Sequence, residues 1–226
     1  GATTISGTLK IYCSVTASYL FIPRILNELH LTVPQLEVKL ETGDPADALD
    51  KLEDPQIDLV ISALPLEIPN NIHFIDLVKL PLIIIAPKKP RFKCNLNNDL
   101  TASELNNLPF IIPEKGQLRY EVEKWFAAMD IKPEIYAEIS GHEAIVSLVA
   151  LGFGFAIVPR LVYEISPFKN DVNVLRELQW SNFRVALCCQ KEQADDNKIQ
   201  IVFDLVSRLA PSFTPDLNRR RNESLA

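Results

Sequence analysis

Short polar residues stand directly after strand-like segments of this sequence, at the points where helix patterns begin. The clearest group is Ser140, Gly141 and His142, which follow a predicted strand at residues 135–139 and precede an apolar helix pattern. Hydroxyls and the free amides of a helix N-terminus bind anions and small polar ligands. His142 adds a hydrogen-bond donor that stays available in the neutral imidazole. These residue types therefore indicate a binding site for a small ligand.

Three further loops have the same character. They contribute the candidate ligand contacts Ser14, Val15, Thr16 and Ala17 after the first predicted strand, Asp44 after the second, and Gln117 at the start of a later helix. In open α/β sheets, ligands bind at the carboxyl ends of the strands, where such loops meet. The alternative is that each loop only caps the helix that follows it.

The local patterns also predict how these helices begin and end. Ser140 and Glu143 have the spacing of a capping box, so Ser140 is expected to cap the helix. Asp44 followed by Pro45 is typical of an N-cap and a first helical residue, which predicts a helix there. Gly152 is expected to end the helix after Leu151 in the left-handed conformation.

Catalytic and metal-binding patterns are missing from the sequence. It has no nucleophile elbow, no phosphate-binding loop and no zinc-protease motif, and its three histidines are scattered. Cys13 lies in an apolar strand-like segment, so it is not a credible nucleophile for His142. We therefore expect no enzyme activity, no catalytic residue, no cofactor and no metal.

Strand and helix patterns alternate along the chain, which predicts an α/β fold with parallel sheets covered by helices. Residues 19–30 and 117–129 are predicted helices. The predicted strands include residues 9–14, 36–41, 58–63, 74–79, 82–86, 172–175 and 183–190. A second series of units begins near Pro81. We expect one lobe from residues 8–79 and 186–212, a second from 80–185, and a disordered tail from 213 to 226.

Composition excludes several classes of protein. The net charge of −6 argues against a nucleic-acid-binding surface on this chain, and no apolar segment reaches the roughly 18 residues that span a bilayer. Cys13, Cys188 and Cys189 lie in apolar segments, which predicts buried thiols in a reducing cytoplasm rather than disulfides. The first residue is Gly1, so we expect a fragment of a longer protein.

A family resemblance is carried by the segment from Leu148 to Pro159, with Gly152 and Gly154 before an apolar strand. Together with Gly43 and the strand around Asp58, this segment resembles the effector-binding domain of LysR-type transcriptional regulators. The resemblance covers about residues 7–209. It implies two Rossmann-like lobes joined by two crossover strands, as in type 2 periplasmic binding proteins.

The resemblance implies that the candidate contacts named above line an inter-lobe cleft that holds a small carboxylate effector. The segments Gly43–Asp44 and Gly141–Ala144 resemble those of family members that control branched-chain amino-acid biosynthesis. This resemblance implies that the effector is acetolactate or acetohydroxybutyrate. No Arg or Lys is among these candidate contacts, and Lys115 and Arg119 are the nearest cations along the sequence.

The resemblance also implies a homodimer, or a tetramer in the full-length protein, that binds DNA only through an N-terminal winged helix-turn-helix outside this chain. The helix at 19–30 is a predicted dimer contact, because its apolar residues exceed one core face: Leu20, Phe21, Ile25, Leu26 and Leu29. Two alternatives remain: an extracytoplasmic solute-binding protein of the same build, and a two-lobe enzyme.

Overall fold

The computed structural model describes residues 4–96 and 100–214, so the predicted tail at 213–226 lies almost wholly outside the described residues. Contacts divide the chain into two compact units. Unit 1 comprises residues 4–42, 48–79 and 184–214, and unit 2 comprises residues 43–47 and 80–183. Each unit combines a sheet with flanking helices, which confirms the predicted α/β class.

The strands of unit 1 are β1 (Gly7–Cys13), β2 (Leu36–Thr42), β3 (Leu59–Ala63), β4 (Ile72–Pro87) and β8 (Val172–Gln190). They are adjacent in the order β2-β1-β3-β8-β4. Strands β1, β2 and β3 are parallel, and β8 runs antiparallel to β3. Its helices are α1 (Val15–Leu20), α2 (Ile22–Thr32) and α6 (Asn197–Leu209). The core of this unit gathers around Tyr12, Val60 and Cys188.

Unit 2 contains strands β5 (Pro109–Pro113), β6 (Glu134–Ile139) and β7 (Ala156–Pro159). β5 pairs with β6 in parallel, a bridge joins Phe110 to Phe155, and β7 pairs antiparallel with β4 (Ile72–Pro87). Helices α3 (Gly116–Ala128), α4 (Glu143–Ala150) and α5 (Arg160–Ile165) complete the unit.

Two predicted pairs of strands are single long strands. The expected strands near residues 74–79 and 82–86 together form β4, and those near 172–175 and 183–190 together form β8. Pro81, near which the second series of units was predicted to begin, lies within β4, next to the position where the chain passes from unit 1 to unit 2. These two strands are the crossover strands that the fold class requires.

The helix predicted at residues 19–30 is wrong in its extent, because the chain forms two helices that meet at Phe21. Proline lacks an amide hydrogen and fits only the first turn of a helix, so Pro23 obliges a new helix to start at Ile22. The surplus of apolar residues is also smaller than predicted. Phe21, Ile25 and Leu29 are buried inside unit 1, while Leu20 and Leu26 stay partly exposed.

The helix predicted after Asp44 is instead a pair of 3-10 turns, Pro45–Asp47 and Asp50–Glu53. The predicted role of Asp44 survives this change, because its Oδ1 accepts a hydrogen bond from the Ala46 amide at 2.9 Å. The segment Gly43–Asp47 packs with unit 2, although its neighbours in the chain belong to unit 1.

All four cysteines are free thiols, and Cys13, Cys188 and Cys189 are buried as predicted. Burial raises the pKa of the Cys13 thiol to about 12, so it is not a nucleophile at neutral pH. Within the described ranges, no helix has both the length and the apolar character needed to cross a bilayer.

Candidate functional site

The first candidate loop lies in unit 1 and opens helix α1. The Ser14 Oγ accepts a hydrogen bond from the Ala17 amide at 3.0 Å, so Ser14 is the N-cap of this helix. Thr16 and Ala17 are buried, whereas Val15 is exposed. A hydroxyl that accepts a hydrogen bond keeps its own O–H for donation. Ser14 can therefore cap the helix and contact a ligand at the same time.

The second set of loops lies in unit 2, at the carboxyl ends of β5 and β6. These strands are parallel neighbours, with Pro113 opposite Ile139, and the Glu114 amide donates to the Ile139 carbonyl at 2.9 Å. The loops that leave the two strands therefore start side by side. One leads through Gln117 into α3, and the other leads through residues 140–142 into α4.

Asp44 joins this set because the segment Gly43–Asp47 packs against the start of α3. Gly116 has a φ of +89°, and a Cβ built on it would lie 2.6 Å from the Ala46 Cβ. Only glycine allows this approach and this backbone conformation together. The charge of Asp44 acts on the His142 imidazole. Unit 2 thus brings together five of the predicted contacts: Asp44, Gln117, Ser140, Gly141 and His142.

The predicted Ser140 cap is wrong. Helix α4 begins at Glu143, and His142 occupies the N-cap position without a side-chain cap. Gly141 has a φ of +81°, so the chain turns after Ser140 and the helix starts two residues later than a capping box requires. The Glu143 carboxylate still caps the loop, because its Oε2 accepts a hydrogen bond from the His142 amide at 3.2 Å. The Ser140 hydroxyl therefore does not cap helix α4.

The His142 side chain is held neutral by its surroundings. Burial lowers the pKa of the imidazole below its ordinary value of 6.5, and the negative charges of Glu143 and Asp44 oppose that shift only in part. Within the described part of the chain, the imidazole forms no hydrogen bond. A neutral imidazole offers one donor and one acceptor, so His142 can bond to a carboxylate, hydroxyl or keto oxygen.

The two cations nearest to these loops along the sequence, Lys115 and Arg119, are both paired with carboxylates. The Lys115 ammonium lies 2.6 Å from the Asp47 carboxylate, which raises the pKa of Lys115. The Arg119 guanidinium lies 2.6 Å from Glu123 and 3.4 Å from Glu138. The donors that these loops offer are therefore neutral: the amides of the helix start, the Ser140 hydroxyl and the His142 imidazole.

Sequence reasoning missed one residue that contacts this set. Glu121 is buried, and its Oε1 accepts a hydrogen bond from the Gln117 Nε2 at 3.3 Å. The four-residue spacing on a helix was visible in the sequence, but its burial was not. Across the described residues there is no cluster of histidine, cysteine or acidic side chains that could hold a metal ion.

Comparison with known proteins identifies the family. Residues 2–210 match the LysR substrate binding domain.

The chain belongs to the LysR family.

Relatives within this family are also similar in sequence. The chain is 37% identical over 208 residues to the HTH-type transcriptional activator IlvY of Salmonella typhimurium, covering 89% of this chain and 70% of that protein. It is 36% identical over 195 residues to IlvY of Haemophilus influenzae, covering 84% and 66% of the two chains. The chain is therefore the effector-binding domain of a LysR-type regulator close to IlvY.

Solved structures agree with the fold. The regulatory domain of CcmR from Synechocystis PCC6803, in complex with 2-PG, superimposes with a TM-score of 0.76 at 21% identity, covering 92% of this chain and all of that one. The effector-binding domain of QuiR in complex with shikimate gives a TM-score of 0.76 at 18% identity, covering 92% and 99%. Both belong to the two-lobe class, like periplasmic binding proteins, that the sequence predicted.

Proposed function

We propose that this LysR domain binds acetolactate or acetohydroxybutyrate and so controls transcription of branched-chain amino-acid biosynthesis. The proposal is supported by one observation above all. In unit 2, the neighbouring ends of β5 and β6 present Gln117, Ser140 and His142 at one sheet edge, close to Asp44. The similarity to IlvY supports the choice of effector.

The chemistry of this edge suits a small hydroxylated keto acid. A carboxylate is bound well by helix-start amides and hydroxyls, which supply donors without a cation. The neutral His142 imidazole supplies a donor for a second oxygen. Lys115 and Arg119 are already paired with carboxylates, which fits a ligand of low charge better than a polyanion.

Thermal unfolding with each compound tests the proposal. At about 100 times the Kd, a ligand adds roughly 2.7 kcal/mol to the free energy of unfolding, which for this size is about 5–10 °C in Tm. Acetolactate and acetohydroxybutyrate should give this shift. Valine and isoleucine, which carry an amino group and no keto group, are the matched controls and should give none. An unchanged Tm at millimolar acetolactate contradicts the assignment of acetolactate as the effector.

The proposal includes a homodimer that binds DNA through a winged helix-turn-helix preceding this domain. Tyr19, near the end of α1, and Leu31, near the end of α2, are 69% and 71% exposed, which supports a contact through this surface. Leu31→Lys should convert a sedimenting dimer to a monomer at tens of micromolar. Leu66→Lys, at a similarly exposed leucine of unit 1, is the control. A wild-type monomer contradicts the dimer.

A further inference from the structure

Glu121 is a buried acidic residue whose two carboxylate oxygens have different partners. Its side chain is 2% exposed. Oε1 accepts the hydrogen bond from Gln117 Nε2 at 3.3 Å, and Oε2 lies 2.9 Å from the Lys124 ammonium. The small pocket that Glu121 lines also includes Trp125 and Leu178. In such partly apolar surroundings each partner of a carboxylate matters, because water does not replace it.

This arrangement determines which end of the Gln117 carboxamide faces Glu121. A carboxylate only accepts hydrogen bonds, while a carboxamide has a donating end and an accepting end. The NH2 group must therefore point toward Glu121, and the carbonyl Oε1 points away from it. Gln117 is the second residue of α3, at the sheet edge that also carries Ser140 and His142.

We infer that Glu121 is a positioning residue that turns Gln117 into a hydrogen-bond acceptor toward the ligand and thereby selects a hydroxylated carboxylate. This inference rests on the proposed function, because Gln117 must lie at the effector site. The Oε1 of Gln117 accepts a hydrogen bond from the effector hydroxyl. A group in the same place that cannot donate brings two lone pairs together and is rejected.

The Glu121→Gln substitution tests this orientation with almost no change in shape. The Lys124 ammonium takes the carbonyl end of the new carboxamide, so its NH2 end faces Gln117. The Gln117 carboxamide then turns over and presents its own NH2 to the ligand. The preference for a hydroxyl donor should therefore be lost while the fold is kept.

Two matched probes measure that preference: acetolactate, and 2-fluoro-2-methyl-3-oxobutanoate, in which fluorine replaces the hydroxyl and cannot donate. By calorimetry, the wild-type chain should bind acetolactate roughly tenfold more tightly, the usual effect of one hydrogen bond with an unpaired alternative. In Glu121→Gln the ratio should fall several-fold, because the NH2 that Gln117 then presents does not repel fluorine, and only the better acceptor strength of the hydroxyl oxygen still favours acetolactate. Gln117→Leu, which removes the carboxamide, should give the same loss of preference if Glu121→Gln does not fold.

Lys124→Gln is the control, because it removes the other partner of the same carboxylate and leaves the Gln117 contact in place. It should lower Tm but keep the preference for acetolactate. If Glu121→Gln weakens both probes equally and keeps the wild-type ratio, Glu121 is structural and the inference is overturned.

A measurement without ligand separates this inference from the proposed function. In nuclear magnetic resonance spectra of the ligand-free chain, the Gln117 side-chain NH2 should show nuclear Overhauser contacts to the Glu121 Hγ protons. If these contacts are absent, the inferred orientation of the Gln117 carboxamide is wrong, regardless of which ligand the chain binds. If the contacts are present but neither probe binds the wild-type chain, the effector assignment fails and the orientation of Gln117 stands.

Discussion

Gly116→Ala should destabilise unit 2 more than any other glycine substitution near the candidate site. The new methyl group would lie 2.6 Å from the Ala46 Cβ and 3.0 Å from the Ala46 Cα, and the backbone would keep a φ of +89°. A side chain in the left-handed region costs about 1–2 kcal/mol, and overpacking adds about 1–3 kcal/mol. We expect a total loss of about 3 kcal/mol, or roughly 6–12 °C in Tm for a chain of this size.

Gly141→Ala is the matched control, because Gly141 has a similar φ of +81° but its added Cβ would meet only the flexible Glu143 carboxylate, at 3.3 Å. Its loss should be only the backbone strain of about 1–2 kcal/mol. The double variant Gly116→Ala/Ala46→Gly removes one of the colliding methyl groups and should recover about 1 kcal/mol or more. Urea unfolding of the four chains measures these differences. Equal losses for the two single variants would refute the packing of Gly43–Asp47 against α3.

Three further predictions concern side chains of the site and the core. His142→Ala should weaken binding of acetolactate by about 1–3 kcal/mol and change the stability of the free domain by less than about 1 kcal/mol. A larger loss of stability with unchanged affinity of the folded domain would make the histidine structural. The pKa of His142 is lower in the folded than in the unfolded chain, so the unfolded state binds the proton more readily and the free energy of unfolding should fall as the pH drops below 6.5. When Tm is measured from pH 7.5 to 5.5, the Tm of His142→Gln should fall less than that of the wild type. Identical pH profiles for the two chains would contradict the lowered pKa. With a thiol reagent at pH 8, the partly exposed Cys94 should react first. Cys13 should react only on unfolding, because burial raises its pKa to about 12. Fast labelling of Cys13 in the folded chain would contradict its burial.

Much of the fold was predictable because local patterns and tertiary structure agree. Gly152 was expected to end its helix in the left-handed conformation, and it has a φ of +91° just beyond α4. Only glycine fits there, because an added Cβ would lie 2.4 Å from the Lys89 carbonyl oxygen. The buried strands were recognisable for the same reason: an apolar segment between turn residues has few other structures open to it.

The errors arose where the same local pattern fits two structures. Ser140 and Glu143 have capping-box spacing, but the spacing cannot show that Gly141 turns the chain and delays the helix to Glu143. Pro81 is a strand breaker by propensity, yet it lies within the long strand β4. The close approach of Gly116 to Ala46 was not predictable, because it joins residues 70 positions apart.

The candidate contacts were predicted as loops, and the structure adds which of them share a unit. Ser14 to Ala17 open a helix of unit 1, while Asp44 and the four later residues gather in unit 2. The buried Glu121 beside Gln117 could not be found from sequence, since acidic residues are rarely buried and the helix pattern gives it no special place.

Titration of the 15N-labelled chain with acetolactate tests the central claim most directly, because each backbone amide reports on its own surroundings. The largest shift changes should occur at the amides of Gln117, Ser140, Gly141 and His142, with a second group at Ser14 to Ala17. The amides of Cys94 and Tyr136, which belong to unit 2 but not to the candidate site, should move little. Saturable changes confined to residues outside these loops, or no changes at millimolar acetolactate, would contradict the account.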